Sequence, residues 1–248
     1  MARTVVAKLG GSVITDLSKP FTFRSDVASA LSEEISSSDD KVVVVHGRVS
    51  YGKAPPSPQV AAVDQANAAA EGTAQVRVSA YELNRLVCKN MLEAKLSPYQ
   101  FSPFDVLSRG GPAVAAQWLR GLLRENFTPV TFGDFALSTK GMKFQGGDEI
   151  ACELSRALRP ERCVFAIDVD GVYEPGSRVI VPELSPSKIR KAKMSPEDDP
   201  TGRMSAKLEI AARIAGFGTT VCFVSGYRRN EFSKALRGLD FYGTMVRS

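Results

Sequence analysis

Apolar residues run continuously, without alternation, at five places along the chain. Val5-Val6-Ala7-Lys8-Leu9 stops at Gly10-Gly11, Val42-Val43-Val44-Val45 at His46-Gly47, and Pro129-Val130-Thr131-Phe132 at Gly133-Asp134. Cys163-Val164-Phe165-Ala166-Ile167 stops at Asp168, and Val221-Cys222-Phe223-Val224 at Ser225-Gly226. Such runs suit strands buried on both faces, hence a parallel sheet covered by helices. Helical spacing appears between them: Leu83, Leu86, Val87, Met91 and Ala94 share one stripe, and Val114, Trp118, Leu122 and Leu123 another, both read as core packing. Strand and helix alternate, which predicts an α/β fold with ligands gathered where strands end at the carboxyl edge of the sheet.

Other stretches are less patterned. The Ala- and Pro-rich segment 54–75 reads as a flap or irregular helix, and Thr139-Lys140-Gly141-Met142 as the turn of a hairpin. Segment 182–199, with Lys188, Arg190, Lys191 and Lys193, reads as a solvated loop or short helix. No internal repeat is visible.

Composition narrows the class. In 248 residues, 44% hydrophobic and 24% charged, there is enough apolar material for a sizeable core, which excludes intrinsic disorder. The net charge of +5 suits a nucleic-acid binder or an enzyme of anionic metabolites equally. Aromatic content of 8% with one Trp gives no stacking platform for single strands. Cys88, Cys152, Cys163 and Cys222 lack metal-binding spacing and read as reduced core thiols. His46 is the single histidine, so His-based zinc sites are excluded. No apolar run approaches the roughly 18 residues of a membrane span, and the start has no signal-peptide layout, so a cytoplasmic protein without membrane contact is expected.

The candidate chemistry lies in five loops. Lys8-Leu9-Gly10-Gly11-Ser12 places backbone N–H groups and a strand-borne cation where a phosphate is readily bound, although a Gly-Gly turn after a strand is common. His46-Gly47-Arg48-Val49-Ser50-Tyr51-Gly52-Lys53 is small and cationic at another strand end. Gly146-Gly147-Asp148-Glu149 opens a helix over 150–158, with Asp148 either its N-cap or a functional carboxylate. Asp168-Val169-Asp170-Gly171-Val172-Tyr173 offers carboxylates to a ribose or a metal–nucleotide complex, or caps a turn. Asp199-Pro200-Thr201-Gly202-Arg203-Met204 leads into a helix over 208–215 with Lys207 one turn in, the layout of an anion site.

The order of these loops resembles that of the amino acid kinase superfamily. Gly10 to Asp16, Ser50-Tyr51-Gly52, Leu83-Asn84-Arg85 and Tyr242 to Arg247 are most similar to archaeal-type isopentenyl phosphate kinases. The resemblance implies a three-layer α/β/α sandwich with a largely parallel central sheet. Residues 1–160 would form an acceptor-binding lobe and 161–248 a nucleotide-binding lobe, on one continuous sheet. It further implies a homodimer, ATP and Mg2+ as cofactors, and transfer of the γ-phosphate to isopentenyl phosphate or a related small phosphomonoester. By position, Lys8 and Lys207 would neutralise ATP phosphates, Gly10, Gly11 and Ser12 would donate N–H groups to them, and Asp148 would orient the lysines. Asp168, Asp170, Tyr173, Gly202 and Arg203 would lie by the nucleotide; Gly47, Arg48, Ser50, Gly52, Lys53 and Gly147 would line the acceptor side.

The chain departs from the family pattern HGGGS(F/Y)GH at Arg48, Val49 and Lys53, and from TGGM at Arg203. Where the family places a lysine after Val13-Ile14-Thr15-Asp16, it has Leu17. Gly-to-Val in a phosphate cradle is expected to strain a backbone that needs φ > 0. Arg48, Lys53 and Arg203 nevertheless add cations to the same pocket, and Arg48 is placed to stand in for the missing lysine. The leading expectation is therefore a phosphotransferase with a rebuilt acceptor site. The alternatives are a catalytically impaired relative that binds an anion or serves a regulatory role, and a nucleic-acid binder using the 188–193 basic run.

Overall fold

A computed structural model describes residues 3–52, 70–107, 110–139, 141–191, 199 and 202–248. Lys53, most of the 54–75 segment, Lys140, Lys193 and Thr201 lie outside the described residues.

The five apolar runs form strands β1 (Thr4–Leu9), β2 (Lys41–His46), β4 (Thr128–Phe132), β7 (Arg162–Ile167) and β9 (Thr220–Ser225). With β3 (Pro98–Gln100), β8 (Glu183–Leu184) and β10 (Gly243–Val246) they make one sheet in the order β3-β4-β2-β1-β7-β9-β10-β8. All pairings from β3 through β9 are parallel; β10 runs antiparallel to β9. Val5 pairs with Arg162 and Lys8 with Phe165, so the sheet runs unbroken between the two sequence halves. The hairpin β5 (Asp134–Ser138) and β6 (Gly141–Gln145) stands apart as a second, two-stranded sheet.

The core explains the continuous apolar runs. Val6, Val43, Cys163, Phe165 and Phe223 pack on one face, against α5 (Gly111–Arg124), α6 (Gly147–Leu158) and α8 (Arg203–Ala215). Val5, Ala7, Val44, Val164 and Cys222 pack on the other, against α1 (Gly11–Ile14), α2 (Ser25–Ser36), α3 (Ala70–Glu93) and α9 (Glu231–Arg237). Neighbours in a strand point to opposite faces, and both faces are covered. The short helices α4 (Pro103–Leu107) and α7 (Pro186–Lys191) complete the first layer. Ile189 of α7 is buried, so the 188–193 run begins on a docked helix.

Two expectations shift and one holds. Leu83, Val87 and Met91 are buried on α3, but the α5 stripe is rotated: Ala115, Ala116, Leu119 and Leu123 are buried while Val114 is exposed. Both site helices begin earlier than their apolar patterns suggest, α6 at Gly147 and α8 at Arg203, because their polar first turns face the site. All four cysteines are buried and unbridged.

Candidate functional site

Parallel pairing brings the carboxyl ends of β1, β2, β4, β7 and β9 to one edge, where their loops interlock. Gly10 N–H donates to the Ala166 carbonyl at 2.9 Å, Gly47 N–H to Leu9 at 2.8 Å, and Gly226 N–H to Ile167 at 2.8 Å. Each strand is thus tied to its neighbour one residue beyond the ladder. Gly10 therefore spends its N–H inside the protein and has none to give a phosphate, which corrects the role assigned to it. No hydrogen bond among the described residues uses the N–H of Gly11 or Ser12, at the start of α1.

Close approach explains the glycines. A Cβ on Gly47 would lie 2.5 Å from Gly11 N and 2.8 Å from its Cα. A Cβ on Gly147 would lie 3.0 Å from the His46 carbonyl oxygen, so the start of α6 packs directly on the β2 loop. Gly47→Ala is expected to force the first two loops apart, because the obstruction is backbone on both sides. Thermal denaturation together with the affinity for ATP checks this, and both should fall.

At the centre of the edge, Asp148 joins two lysines. Lys8 Nζ lies 2.5 Å from its Oδ1, and Lys207 Nζ 3.0 Å from its Oδ2. Lys8 comes from within β1 and Lys207 from the second turn of α8. Asp148 is not the N-cap of α6; Gly146 is, and Glu149 accepts its N–H at 2.8 Å. Since Glu149 closes the helix end, the Asp148 carboxylate is left to the lysines. Burial opposes ionisation of Asp148, but the two ammonium groups outweigh it and hold its pKa at about 2. Burial pushes the pKa of Lys8 down, and Asp148 offsets part of that shift.

The acceptor-side loop takes an unexpected path. Residues Val49–Gly52 form a turn of 3₁₀ helix, and neither Arg48 nor Val49 has positive φ, so the expected strain is absent. The Val49 side chain reaches over Gly11, with Cγ2 2.6 Å from the point where a Gly11 Cβ would be. The Arg48 guanidinium lies over the Phe144 ring of β6, 4.2 Å from its centroid. Ser50 is turned inward: its N–H donates to Thr15 Oγ1 at 3.3 Å and its hydroxyl to the Thr22 carbonyl at 3.4 Å. Its role is to tie the turn to the 15–22 loop, so it does not line the acceptor side as expected. Leu17, in that loop, is 41% exposed.

On the β7 and β9 side, Asp168 is exposed and engages no hydrogen bond among the described residues. Asp170 is held by Arg228 at 2.6 and 2.9 Å, a bidentate pair. The Arg228 guanidinium also covers Tyr242, 4.6 Å from the ring centroid. Tyr173, half-buried, forms a β-bridge with Ile180. Gly202 takes φ +65 ahead of α8, and Arg203 is exposed. At the start of α8 the Asp199 carboxylate accepts Ser205 N–H at 2.8 Å.

Sequence reasoning missed Arg228 and the pair formed by Arg77 and Asp134, at 2.9 and 3.1 Å. It also missed Tyr227, whose hydroxyl accepts from Arg24 at 2.7 Å and donates to the Ser12 carbonyl at 3.1 Å. The available signal was position: Asp134, Tyr227 and Arg228 each follow an apolar run by two to four residues.

Fold and edge together define a three-layer α/β/α protein whose sheet carries a lysine–aspartate–lysine cluster at its carboxyl edge. Residues 3–225 match the model of the Amino acid kinase family, and the chain belongs to that family. Isopentenyl phosphate kinase of Methanothermobacter thermautotrophicus is 25% identical to it over 261 residues, covering 98% of each chain. The enzyme of that name from Arabidopsis thaliana is 28% identical over 88% of this chain and 76% of its own. The crystal structure of an isopentenyl phosphate kinase substrate complex superposes with a TM-score of 0.76 at 22% identity, over 99% of this chain and 100% of that one, and so shares the fold.

Proposed function

We propose that this chain is an ATP-dependent phosphotransferase that moves the γ-phosphate of ATP to isopentenyl phosphate, or to a related small phosphomonoester of isoprenoid synthesis. The observation that carries this reading is the Lys8, Asp148 and Lys207 cluster. Phosphoryl transfer asks for positioning and for cations around charge that develops on the transferred group. Two ammonium groups fixed by one carboxylate, at the edge where Gly11 and Ser12 present N–H groups, supply both. On this reading Lys8 and Lys207 contact ATP phosphates, residues 161–248 hold the nucleotide beside Asp168 and residues 1–160 the acceptor beside Gly47, Gly52 and Gly147. Lys53, Gly202 and Arg203 keep their proposed places at the acceptor and nucleotide sides. The protein acts as a cytoplasmic homodimer.

Among the described residues no cluster of three or more metal-ligating side chains occurs. Mg2+ commonly binds through substrate phosphates, its own waters and one or two carboxylates, and Asp168 fits that part. When bound it would offset phosphate charge, while the lysines orient the chain of phosphates.

A second reading, a catalytically impaired relative that binds an anion, is favoured by Leu17 and by the Val49 side chain over Gly11. Purified protein with Mg–ATP and isopentenyl phosphate is expected to consume ATP in an acceptor-dependent way. Lys207→Ala should bring consumption to background. ATP turnover no higher than in that variant, across a panel of phosphomonoesters, would establish the second reading.

A further inference from the structure

Segment 14–24 folds back on itself beside α1. Arg24 N–H donates to the Ile14 carbonyl at 2.9 Å and Asp16 N–H to that of Thr22 at 3.0 Å, with Thr15 bridged to Phe23 between them. Because Asp16 N–H is committed to Thr22, the Ser12 carbonyl gets no partner within its own short helix. Tyr227 supplies one from 215 residues away, its hydroxyl donating at 3.1 Å. Arg24 fixes the direction of that bond. A guanidinium only donates and a carbonyl only accepts, so the hydroxyl that takes the Arg24 Nη1 proton at 2.7 Å must turn its own proton to Ser12. Burial pushes the pKa of Tyr227 up; Arg24 works against the rise and Asp168 adds to it, so the hydroxyl keeps the proton it donates. Asp168 lies within electrostatic reach of both Tyr227 and Lys8, which puts this contact beside the lysine cluster.

α1 is thus held from two sides. On the acceptor side Gly47 lies flush on the Gly11 backbone and the Val49 side chain reaches over it. On the β9 side a Cβ on Gly226 would run into Val13, and Gly226 N–H is tied to Ile167, the residue before Asp168. The first hold is packing of backbone on backbone. The second depends also on one hydroxyl, so removing that oxygen should loosen α1 from the β9 side alone.

We propose that Tyr227 is a positioning residue: with Arg24 orienting its hydroxyl, it holds α1 to the nucleotide-binding half through the Ser12 carbonyl and so sets where the ATP phosphates lie relative to Lys8 and Lys207. This rests on the phosphotransferase reading, in which α1 faces those phosphates, but part of its test does not. Tyr227→Phe keeps the ring and removes the hydroxyl. Titration calorimetry should show ADP affinity about tenfold weaker, and steady-state rates a KM for ATP about tenfold higher, with KM for isopentenyl phosphate unchanged. Tm should hardly move, since Tyr227 is 45% exposed and its lost bonds lie at the surface. Arg24→Met leaves the hydroxyl free to turn and should cost less. Asp16, 3.9 Å from Arg24, is already held by Ser18, so little depends on that pair. The double variant should match Tyr227→Phe alone, because Arg24 acts through the hydroxyl. An ADP affinity unchanged in Tyr227→Phe, equal shifts in both KM values, or effects that multiply in the double variant overturn the proposal. Should the wild-type protein bind ADP but transfer no phosphate, the phosphotransferase reading fails, while the ADP affinities of the four proteins still decide the role of Tyr227; absence of ADP binding overturns both.

Discussion

Asp148→Ala is expected to lower stability by about 3 kcal/mol and kcat by on the order of 10²-fold or more. The stability loss follows from what remains. Lys8 keeps 5% of its side-chain surface exposed, so its ammonium is left buried without a counter-ion, and Lys207, 20% exposed, is repelled by it. For a chain near 250 residues this loss corresponds to a fall in Tm of roughly 6–12 °C. The rate loss has another origin: both lysines keep their charge or shed it, but neither keeps its place. Asp148→Asn separates the two effects, since an amide preserves shape and one hydrogen-bond acceptor while removing the charge.

The same residue gives the acid limb of stability a definite sign. The Asp148 pKa falls from 3.8 to about 2 on folding, so its contribution is complete above pH 3.8 and disappears as pH drops through 2. Lys8 carries the same sign in pH, since its pKa also falls on folding. The unfolded chain binds that proton more readily, and stability rises with pH across the interval between its folded value and 10.5. Thermal midpoints measured against pH should therefore show a weaker decline between pH 4 and 2 in Asp148→Ala than in the wild-type protein. An unchanged acid limb would mean that Asp148 is not the shifted carboxylate.

The sheet was legible because burial on both faces leaves a direct mark. In β1, Val5 and Ala7 serve one layer and Val6 the other, so no polar residue interrupts the run until Lys8 reaches the edge. The strands β3, β8 and β10 leave a weaker mark, since two to four residues carry no period. The Asp148 cluster was anticipated from motif order, while the particular hydrogen bonds were not. Asp170 and Arg228 stand 58 residues apart, and Ser50 meets Thr22 from 28 away. Whether a polar group faces the edge of the sheet or a distant partner is decided by packing, and nothing local distinguishes the two. The assumed strain at Val49 failed for a related reason. The loop met the larger side chain by turning into a 3₁₀ turn, so Val49 needs no left-handed conformation.

Leu17→Lys is expected to raise kcat on the order of 10²–10³-fold while leaving Tm unchanged, taking the removal of one donor to developing charge as the guide. Stability is insensitive because Leu17 is 41% exposed and buries little. Its place is defined by the acceptor turn: Phe21 N–H donates to Ser50 O at 3.2 Å, and Asp16 N–H to Thr22 O at 3.0 Å, so the 15–22 loop and the turn move as one. The cation of Arg48, stacked on Phe144 above the same turn, is the competing explanation for how the chain manages without a lysine at 17. The two are separated by combining them. If Arg48 supplies the missing charge, Arg48→Ala should abolish wild-type turnover yet cost little once Lys is present at 17, and the free-energy changes should be far from additive. If Arg48 only fills space beside Phe144, its loss should cost the same in both backgrounds. Full reversion, Leu17→Lys with Arg48→Gly, Val49→Gly, Lys53→His and Arg203→Gly, also clears the valine from above Gly11. It should exceed Leu17→Lys alone if that side chain obstructs the γ-phosphate; equal rates in the two variants would show that the charge at 17, and not the shape of the cradle, limits transfer.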